Sequence, residues 1–229
     1  MAVRLEPCPL CFSPDAALFY SSREKSMERD FFLCPKCDLV FVPGKYHIGA
    51  EAEKERYLTH NNDPADEGYR AFLDRLLSPL QPHLHAGASG LDYGAGPGPA
   101  LLLMLRERGF EASMYDPFFH PDAGALEGTY DFITCTETLE HFATPRKELD
   151  RFQSLLKPSA WLGVMTGMLE SWTEFPGWYY HRDPTHVSFY SRRTMCWIGR
   201  QYRWEALFPR PNVVLFHNGA SGSSDRETA

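Results

Sequence analysis

Four of the six cysteines lie within the first forty residues, as two pairs that each enclose two residues. The pairs are Cys8 with Cys11 and Cys34 with Cys37. This spacing lets one tight turn direct two thiolates at a single ion, and four thiolates complete the tetrahedral shell of Zn²⁺. Two disulfides or plain buried thiols are the alternatives, and an expected lack of a secretion signal disfavours them. A closed four-thiolate site has no open position, so this zinc is expected to be structural.

The composition divides the chain into three segments. Residues 1–45 form a zinc-ribbon-like module that ends at the turn signal Pro43-Gly44 and has too few apolar residues to fold unaided. Residues 46–217 form the main domain. Residues 218–229 are rich in glycine, serine and charge without apolar periodicity, which predicts a disordered tail.

The charge balance bears on the kind of partner. Proteins that hold a nucleic acid backbone usually carry excess Lys and Arg, whereas this chain has 23 of them against 30 Asp and Glu, for a net charge of −7. This balance disfavours a nucleic acid and leaves room for a local basic patch. No apolar run approaches the roughly 18 residues that cross a bilayer, so we expect a cytoplasmic protein without a membrane partner. The sequence does not indicate an oligomeric state.

Strands and helices alternate through the main domain. The runs follow one another as strand 90–93, helix 99–108, strand 111–115, strand 130–136, helix 145–156 and strand 161–166. Alternation of this kind is typical of an α/β fold with a doubly wound, mostly parallel sheet. A helix is also predicted to open at Asp63-Pro64, as a cap followed by proline. Two final strands, 204–208 and 213–216, add an antiparallel element.

A glycine loop, residues 94–98, joins the first of these strands to a helix, and glycine there lets the backbone approach a ligand closely. Asp92 precedes the glycines at the strand's carboxyl end, where an acid suits a cationic amino group. Asp116 ends the next strand, where a carboxylate can accept from both hydroxyls of a ribose. No Lys or Arg follows the loop closely. The pattern therefore favours a ligand with a ribose and an ammonium group but no phosphate.

In this order and spacing the motifs resemble those of the class I S-adenosylmethionine (SAM) dependent methyltransferases. LDYGAGPG at 91–98 is similar to their first motif, and YDP at 115–117 to their ribose-binding acid. YDFITCTETLEHF at 130–142 is similar to their fourth strand and the loop after it, and LLKPSAWLGVMT at 155–166 to their turn into the fifth strand. The resemblance covers about residues 50–216 and implies a seven-stranded type of sheet. One unit departs from the family, because residues 118–128 leave little room for the usual helix and third strand, so one edge is expected to be shortened.

The resemblance implies which residues hold SAM. The glycine loop would flank its methionine part, and a segment before the domain would fold over it. The implied set is Asp92, Gly94, Ala95, Gly96, Gly98, Asp116, Pro117, Thr136, Glu137, His60 and Asn62. Several members have plainer alternatives: Gly98 as a helix-packing position, Glu137 as a helix cap, and residues 60–62 as an exposed polar loop.

An aromatic stretch at 177–190 follows the fifth strand and is expected to overhang the sheet edge where ligands bind. Aromatic walls with a few polar groups suit a pocket for an organic substrate, and the candidates are Trp178, Tyr180, His181, Arg182 and Tyr190. His186, His181 or His141 could remove a proton from the acceptor. The catalytic candidates are His186, His141 and Glu137, of which Glu137 is expected beside the methyl-transfer channel. Each histidine could instead be a structural hydrogen-bonding residue, and Arg182 could instead form a salt bridge with Asp183 within the loop. Methyl transfer to an acceptor that is already nucleophilic needs no base.

The function predicted from these features is SAM-dependent methyl transfer to a small molecule, such as a sugar or a quinone-like ring, with S-adenosylhomocysteine (SAH) as product. The layout resembles that of some sugar C-methyltransferases with a four-cysteine module. One alternative is an RNA methyltransferase whose zinc ribbon recognises ribosomal or transfer RNA. Another is a non-catalytic interaction protein. An NAD oxidoreductase fits less well, because Asp92 and the ETLEH segment are not expected of it.

Overall fold

Two six-stranded sheets organise this computed structural model, which describes residues 4–23, 28–60 and 62–219. The strands in chain order are β1 (Leu5–Glu6), β2 (Ala16–Ser22), β3 (Arg29–Leu33), β4 (Val40–Phe41), β5 (Ser89–Tyr93), β6 (Glu111–Tyr115), β7 (Tyr130–Thr136), β8 (Leu156–Met165), β9 (Met168–Leu169), β10 (Ser188–Ser191), β11 (Glu205–Arg210) and β12 (Val213–His217). The α-helices are α1 (Ala50–Tyr57), α2 (Glu67–Leu80), α3 (Ala100–Glu107), α4 (Pro145–Leu155) and α5 (Arg192–Tyr202).

The main sheet has the order β11-β12-β8-β7-β5-β6. Strands β6, β5, β7 and β8 run parallel to one another. Strands β12 and β11 continue the sheet beyond β8 in antiparallel pairing. The middle residues of β7 are buried on both faces of the sheet. Such burial is typical of a central parallel strand with a near-continuous apolar sequence. The predicted α/β fold with a mostly parallel sheet is thus confirmed.

The β6 edge is one strand shorter than the seven-stranded pattern, as the spacing of residues 118–128 predicts. Asp116 and His120 exchange backbone hydrogen bonds of 3.0 Å, which turns the chain back at once. A single 3₁₀ turn, Ala123–Leu126, then leads into β7. The aspartate at the end of β6 therefore stands at the edge of the sheet.

The second sheet has the order β1-β2-β3-β4-β10-β9 and joins the ribbon strands to strands from the main domain. In its central pairing, Val40 of β4 lies opposite Phe189 of β10. The largest buried cluster contains all four paired cysteines together with main-sheet residues such as Leu91 and Ile133. The domain boundary near residue 45 stays a prediction, and both a sheet and a core cross it.

Two boundaries differ from the predictions. Helix α2 begins at Glu67 and is capped by Asp66, whose carboxylate accepts from the Tyr69 amide at 2.6 Å. Asp63 instead accepts from the Ala65 amide at 2.9 Å, so Asp63-Pro64 forms a preceding turn. At the other end, Asn218 donates its amide to the Ala160 carbonyl at 2.8 Å and extends the pairing of β12. Asn218, the first residue of the predicted tail, is therefore part of this pairing, and residues 220–229 of that tail lie outside the described residues.

Among the described residues, no helix is both long enough and apolar enough to pass through a bilayer.

Candidate active site

A cavity of about 940 Å³ opens at the carboxyl ends of the parallel strands. Its walls come from the glycine loop after β5, the turn after β6, the loop after β7, helix α1 and residues 179–186. All eleven residues expected to hold the cofactor line it, namely Asp92, Gly94, Ala95, Gly96, Gly98, Asp116, Pro117, Thr136, Glu137, His60 and Asn62. Their roles stay predictions, and their gathering in one space gives those roles a common site.

The glycine loop has a geometry that side chains would block. Gly94 has a φ of +76°, and a Cβ there would lie 2.2 Å from the Thr138 side chain. Its amide and that of Ala95 donate to the Tyr115 carbonyl at 2.8 and 3.2 Å, which ties the loop to the end of β6. The backbone thus approaches the cavity closely with its amides fixed.

Asp116 is buried, and its carboxylate organises the edge of the cavity. One oxygen accepts from the amides of Phe118 and Phe119 at 2.8 and 3.0 Å, and the other from the Gly96 amide at 2.9 Å. Each carboxylate oxygen can accept more than one hydrogen bond, so the group can still accept from the hydroxyls of a ligand. The turn after β6 therefore fixes the orientation of this carboxylate at the cavity.

Asp92 is buried at the end of β5, where its carboxylate accepts from the Thr134 hydroxyl at 2.9 Å. Burial, with a smaller contribution from the Asp116 charge, raises the pKa of Asp92 to about 7. Removal from water disfavours the charged form, and a cation bound nearby would restore it. An ammonium group in the cavity would therefore be stabilised by Asp92.

Gly98 accommodates the segment that covers the glycine loop. A Cβ at Gly98 would lie 2.1 Å from the Asn62 carbonyl oxygen. The glycine therefore serves close approach of the covering segment, and not only the helix packing that the sequence left open. His60, on the same segment, is exposed at the rim of the cavity.

The loop after β7 carries Thr136 and Glu137. The Thr136 hydroxyl is buried without a hydrogen-bond partner among the described residues, so it is free to bond a ligand. Glu137 has a φ of +47°, an unfavourable conformation for a residue with a side chain. Burial, and then the charge of Glu140, raise the pKa of Glu137 to about 9. Strain and a neutral carboxyl group at one residue are features that concentrate at functional sites.

His141 and His186 face the cavity beyond Glu137. His141 bonds the Thr185 carbonyl through Nδ1 at 3.1 Å, and His186 bonds the Tyr180 carbonyl through Nδ1 at 2.8 Å. The two rings lie 4.8 Å apart. Burial lowers the pKa of His186 to about 4, so this ring is neutral at neutral pH.

Two of the five predicted acceptor residues, Tyr180 and Arg182, line the cavity, and three do not. Trp178 stacks behind Tyr180 with ring centroids 4.8 Å apart. His181 stacks on Phe175, a member of the buried cluster that also contains Tyr180. Tyr190 is fully buried and donates to the Leu139 carbonyl at 3.1 Å. None of these three side chains lines the cavity, so their contact with a substrate stays a prediction to which the geometry adds no support.

Several cavity residues were missed at the sequence level. Arg56 of α1 donates through Nε and one terminal nitrogen to Asp183 at 3.0 and 2.8 Å. These bonds tie the helix to residues 179–186, which we call the acceptor loop. Tyr57 lies edge-on to both Phe118 and His141. The charged composition of α1 gave no signal of this placement, because a helix without buried residues shows no amphipathic face to orient it.

Arg29 of β3 is the most important residue that the sequence analysis did not identify. Its guanidinium is buried and donates to four backbone carbonyls of the acceptor loop: those of His181, Asp183, Pro184 and His186. Burial lowers its pKa to about 10, so it stays charged. A residue of the ribbon thus fixes the backbone on which His186 stands, across more than 150 positions of sequence.

The four paired cysteines form one buried cluster, with all four sulfurs within 4.8 Å of one another. Both turns have the same form: Phe12 and Asp38, each just after the second cysteine, have φ values of +58° and +63°. Four thiols at this separation fit the donor set and size of tetrahedral Zn²⁺. The second turn is anchored to the main domain, because Asp38 accepts from Ser191 and from Trp172.

Comparison with known proteins agrees with the fold. A structure of 1,6-didemethyltoxoflavin-N1-methyltransferase from Burkholderia thailandensis, with bound 1,6-didemethyltoxoflavin and S-adenosylhomocysteine, superposes with a TM-score of 0.54. The match covers 82% of this chain and 98% of that one at 14% identity, which establishes a shared fold. The ubiquinone biosynthesis O-methyltransferases of Cronobacter sakazakii and Pectobacterium atrosepticum are both 34% identical, over 83 and 73 residues.

Those curated matches cover 36% and 32% of this chain and only 34% and 30% of the relatives' own length. The model of a methyltransferase domain family matches residues 65–207, which is more than half of the chain. This stretch contains the glycine loop, Asp116 and the β7 loop, and the chain therefore belongs to this family of methyltransferase domains.

Proposed function

We propose that the protein transfers the methyl group of SAM to a hydroxyl of a small organic acceptor. The observation that carries this proposal is the single cavity in which two buried carboxylates, Asp92 and Asp116, flank a glycine loop with fixed amides. An ammonium group and a ribose would find their partners on these carboxylates. Bound SAM supplies a methyl group on a positively charged sulfur, which an acceptor attacks in line.

The chain's own residues position the two reactants. Asp92 stabilises the ammonium group, Asp116 accepts from the ribose hydroxyls, and the free Thr136 hydroxyl offers a further bond. Helix α1, whose Arg56 is held against Asp183, forms one wall of the space between them. Alignment of the attacking atom with the methyl carbon is expected to supply most of the rate enhancement.

The acceptor side supports an organic substrate. Tyr180, Phe142 and Tyr57 provide aromatic wall, while His141 and His186 present ring nitrogens. The curated relatives are O-methyltransferases by name, which supports oxygen as the methylated atom. A net charge of −7 does not favour the alternative RNA substrate, and an open cavity with intact carboxylates does not favour a non-catalytic role.

Binding of SAH to the zinc-loaded protein tests the proposal directly. We expect micromolar affinity by calorimetry, and a loss of at least about a hundredfold in Asp116→Ala, because hydrogen bonds to a charged group are each worth about 1.5–3 kcal/mol. Asp122→Ala is the matched control: Asp122 caps the next turn through the Gly124 amide and lies outside this cavity. Absence of SAH binding by the folded wild-type protein would refute the proposal.

The pH dependence of SAH binding reports on Asp92. Its pKa of about 7 in the empty site means that the group must lose a proton before it pairs with an ammonium group. Affinity is therefore expected to be constant above about pH 7 and to fall below it, towards tenfold per pH unit. Calorimetry across about pH 5.5–8 checks this. Asp92→Asn should bind weakly with a flatter profile, and an unchanged slope in that variant would contradict the assignment.

A further inference from the structure

Three metal-ligating side chains converge on the acceptor side of the cavity. Glu140, His141 and His186 each offer one ligand atom, and these atoms all lie within 4.8 Å of one another. Ligand atoms that share one ion at about 2.1 Å are separated by roughly 3–4 Å, so small side-chain movements bring the three together. Two imidazoles with one carboxylate form a donor set that holds first-row divalent metals with coordination positions left open.

The hydrogen bonds of the two histidines select the tautomer that a metal needs. His141 bonds the Thr185 carbonyl, and His186 the Tyr180 carbonyl, in both cases through Nδ1. A carbonyl oxygen only accepts, so Nδ1 carries the proton and the Nε2 of a neutral ring carries the lone pair. Metal-binding histidines characteristically donate their second nitrogen to a backbone carbonyl in this way. Two rings share this arrangement and lie 4.8 Å apart.

Glu140 is oriented in the same manner. One of its oxygens accepts from the Thr166 hydroxyl at 2.8 Å, and the other accepts from the Tyr180 hydroxyl. Its side chain is 1% exposed, and neither of these hydroxyl partners carries a charge. A buried carboxylate needs a cation or a metal ion to offset the lost hydration. Each oxygen keeps a further lone pair for that ion.

We propose that Glu140, His141 and His186 bind one divalent metal ion of the first transition row, and that this ion binds the acceptor hydroxyl. The proposal rests on the methyl-transfer function proposed above and adds a substrate class to it. Three protein ligands leave two or three positions open. An acceptor with two neighbouring oxygens, such as a vicinal diol or a hydroxyl beside a carbonyl, can occupy two of them as a chelate.

The metal gives the acceptor its nucleophilicity. Binding to a divalent ion lowers the pKa of a hydroxyl group, and its proton passes to water at the mouth of the cavity. The oxygen then forms a bond to the methyl carbon, the carbon–sulfur bond breaks, and its electron pair stays on sulfur. The products are the methyl ether, neutral SAH and the released proton. No oxidant or reductant takes part.

The site can be tested by titration with Co²⁺. The protein is first loaded with one equivalent of Zn²⁺, which the four soft thiolates bind before a site of nitrogen and oxygen ligands, and Co²⁺ is then added while visible absorption is followed. We expect one Co²⁺ per chain with weak bands of nitrogen and oxygen ligation and without intense thiolate-to-cobalt absorption. Glu140→Gln and His141→Gln should each weaken this binding at least about tenfold. His85→Gln is the control, because His85 is an exposed histidine that also lies beside a carboxylate, Asp131.

The same samples are titrated with SAH, which separates the two proposals. Normal SAH binding without a cobalt site overturns the metal proposal and leaves methyl transfer intact. A cobalt site that depends on Glu140 and His141, in a protein that fails to bind SAH, overturns the proposed function and supports the metal. If Glu140→Gln fails to fold, the half-buried His141 still decides: undiminished Co²⁺ binding in His141→Gln refutes the site.

Discussion

Replacement of Arg29 by methionine is expected to disorder the acceptor loop while the cofactor half of the cavity stays intact. The guanidinium donates to the carbonyls of His181, Asp183, Pro184 and His186. A methionine of similar length leaves these oxygens without their donor, and each buried carbonyl that loses its partner costs about 1–3 kcal/mol. The loop can recover part of this by moving its carbonyls towards water, which carries His186 out of place.

Amide hydrogen exchange measures this outcome. Peptides covering residues 179–187 are expected to lose protection by at least about thirtyfold, the equivalent of 2 kcal/mol, whereas those of β5 and α3 remain unchanged. SAH affinity should stay within about twofold, since Arg29 is remote from Asp92 and Asp116 in the hydrogen-bond pattern. Arg29→Lys keeps the charge but cannot form the same fork, so an intermediate loss is expected. Arg23→Met, at an exposed arginine of the same ribbon, is the control.

Loss of a zinc ligand is expected to have the largest effect on stability. The Cys37 thiol is 1% exposed and belongs to the same buried cluster as residues of the main sheet. Structural zinc contributes about 10 kcal/mol or more in small modules, which is comparable to the whole free energy of unfolding of a typical domain. In Cys37→Ser we therefore expect loss of zinc and of the cooperative folding transition, and not a local defect in the ribbon.

Metal analysis and thermal unfolding followed by circular dichroism check this expectation. The matched control is Cys196→Ser: Cys196 is half-buried in α5, and its substitution should leave zinc content and Tm nearly unchanged. A Cys37→Ser protein that lacks zinc but unfolds at the wild-type temperature would contradict the role of the ribbon as part of the common core.

The features that the sequence predicted correctly are those encoded within a few residues. The paired cysteines, the glycine loop and the acids that end β5 and β6 all depend on local spacing. In a parallel sheet, strand ends meet at one edge, so Asp92 and Asp116 could be placed in one site before any contact was known. The shortened edge could also be predicted, because residues 118–128 are too few for a helix and a strand.

The features that the sequence left unseen depend on contacts between distant segments. β9 and β10 have two and four residues, too short for any periodicity. The pairing of β10 with β4 of the ribbon, and of β9 with β10, follows only from the folded chain. In the sequence, nothing distinguishes Arg29 from an ordinary surface arginine. The acceptor loop was recognised as aromatic, but its turns decide which rings face the cavity, so Tyr180 lies at the wall while Trp178 and His181 lie behind it.

The pairing of β4 with β10 bears on how such proteins can diversify. The Val42 amide donates to the Val187 carbonyl, and the Val187 amide donates to the Glu140 carbonyl, so a continuous chain of bonds runs from the ribbon to the acceptor side. The ribbon therefore cannot be exchanged, in evolution or by engineering, without an effect on the acceptor side. A ribbon grafted from a relative would bring its own counterpart of Arg29 and reshape the loop it supports. Acceptor preference should be inherited with the ribbon, and cofactor use with the rest of the chain.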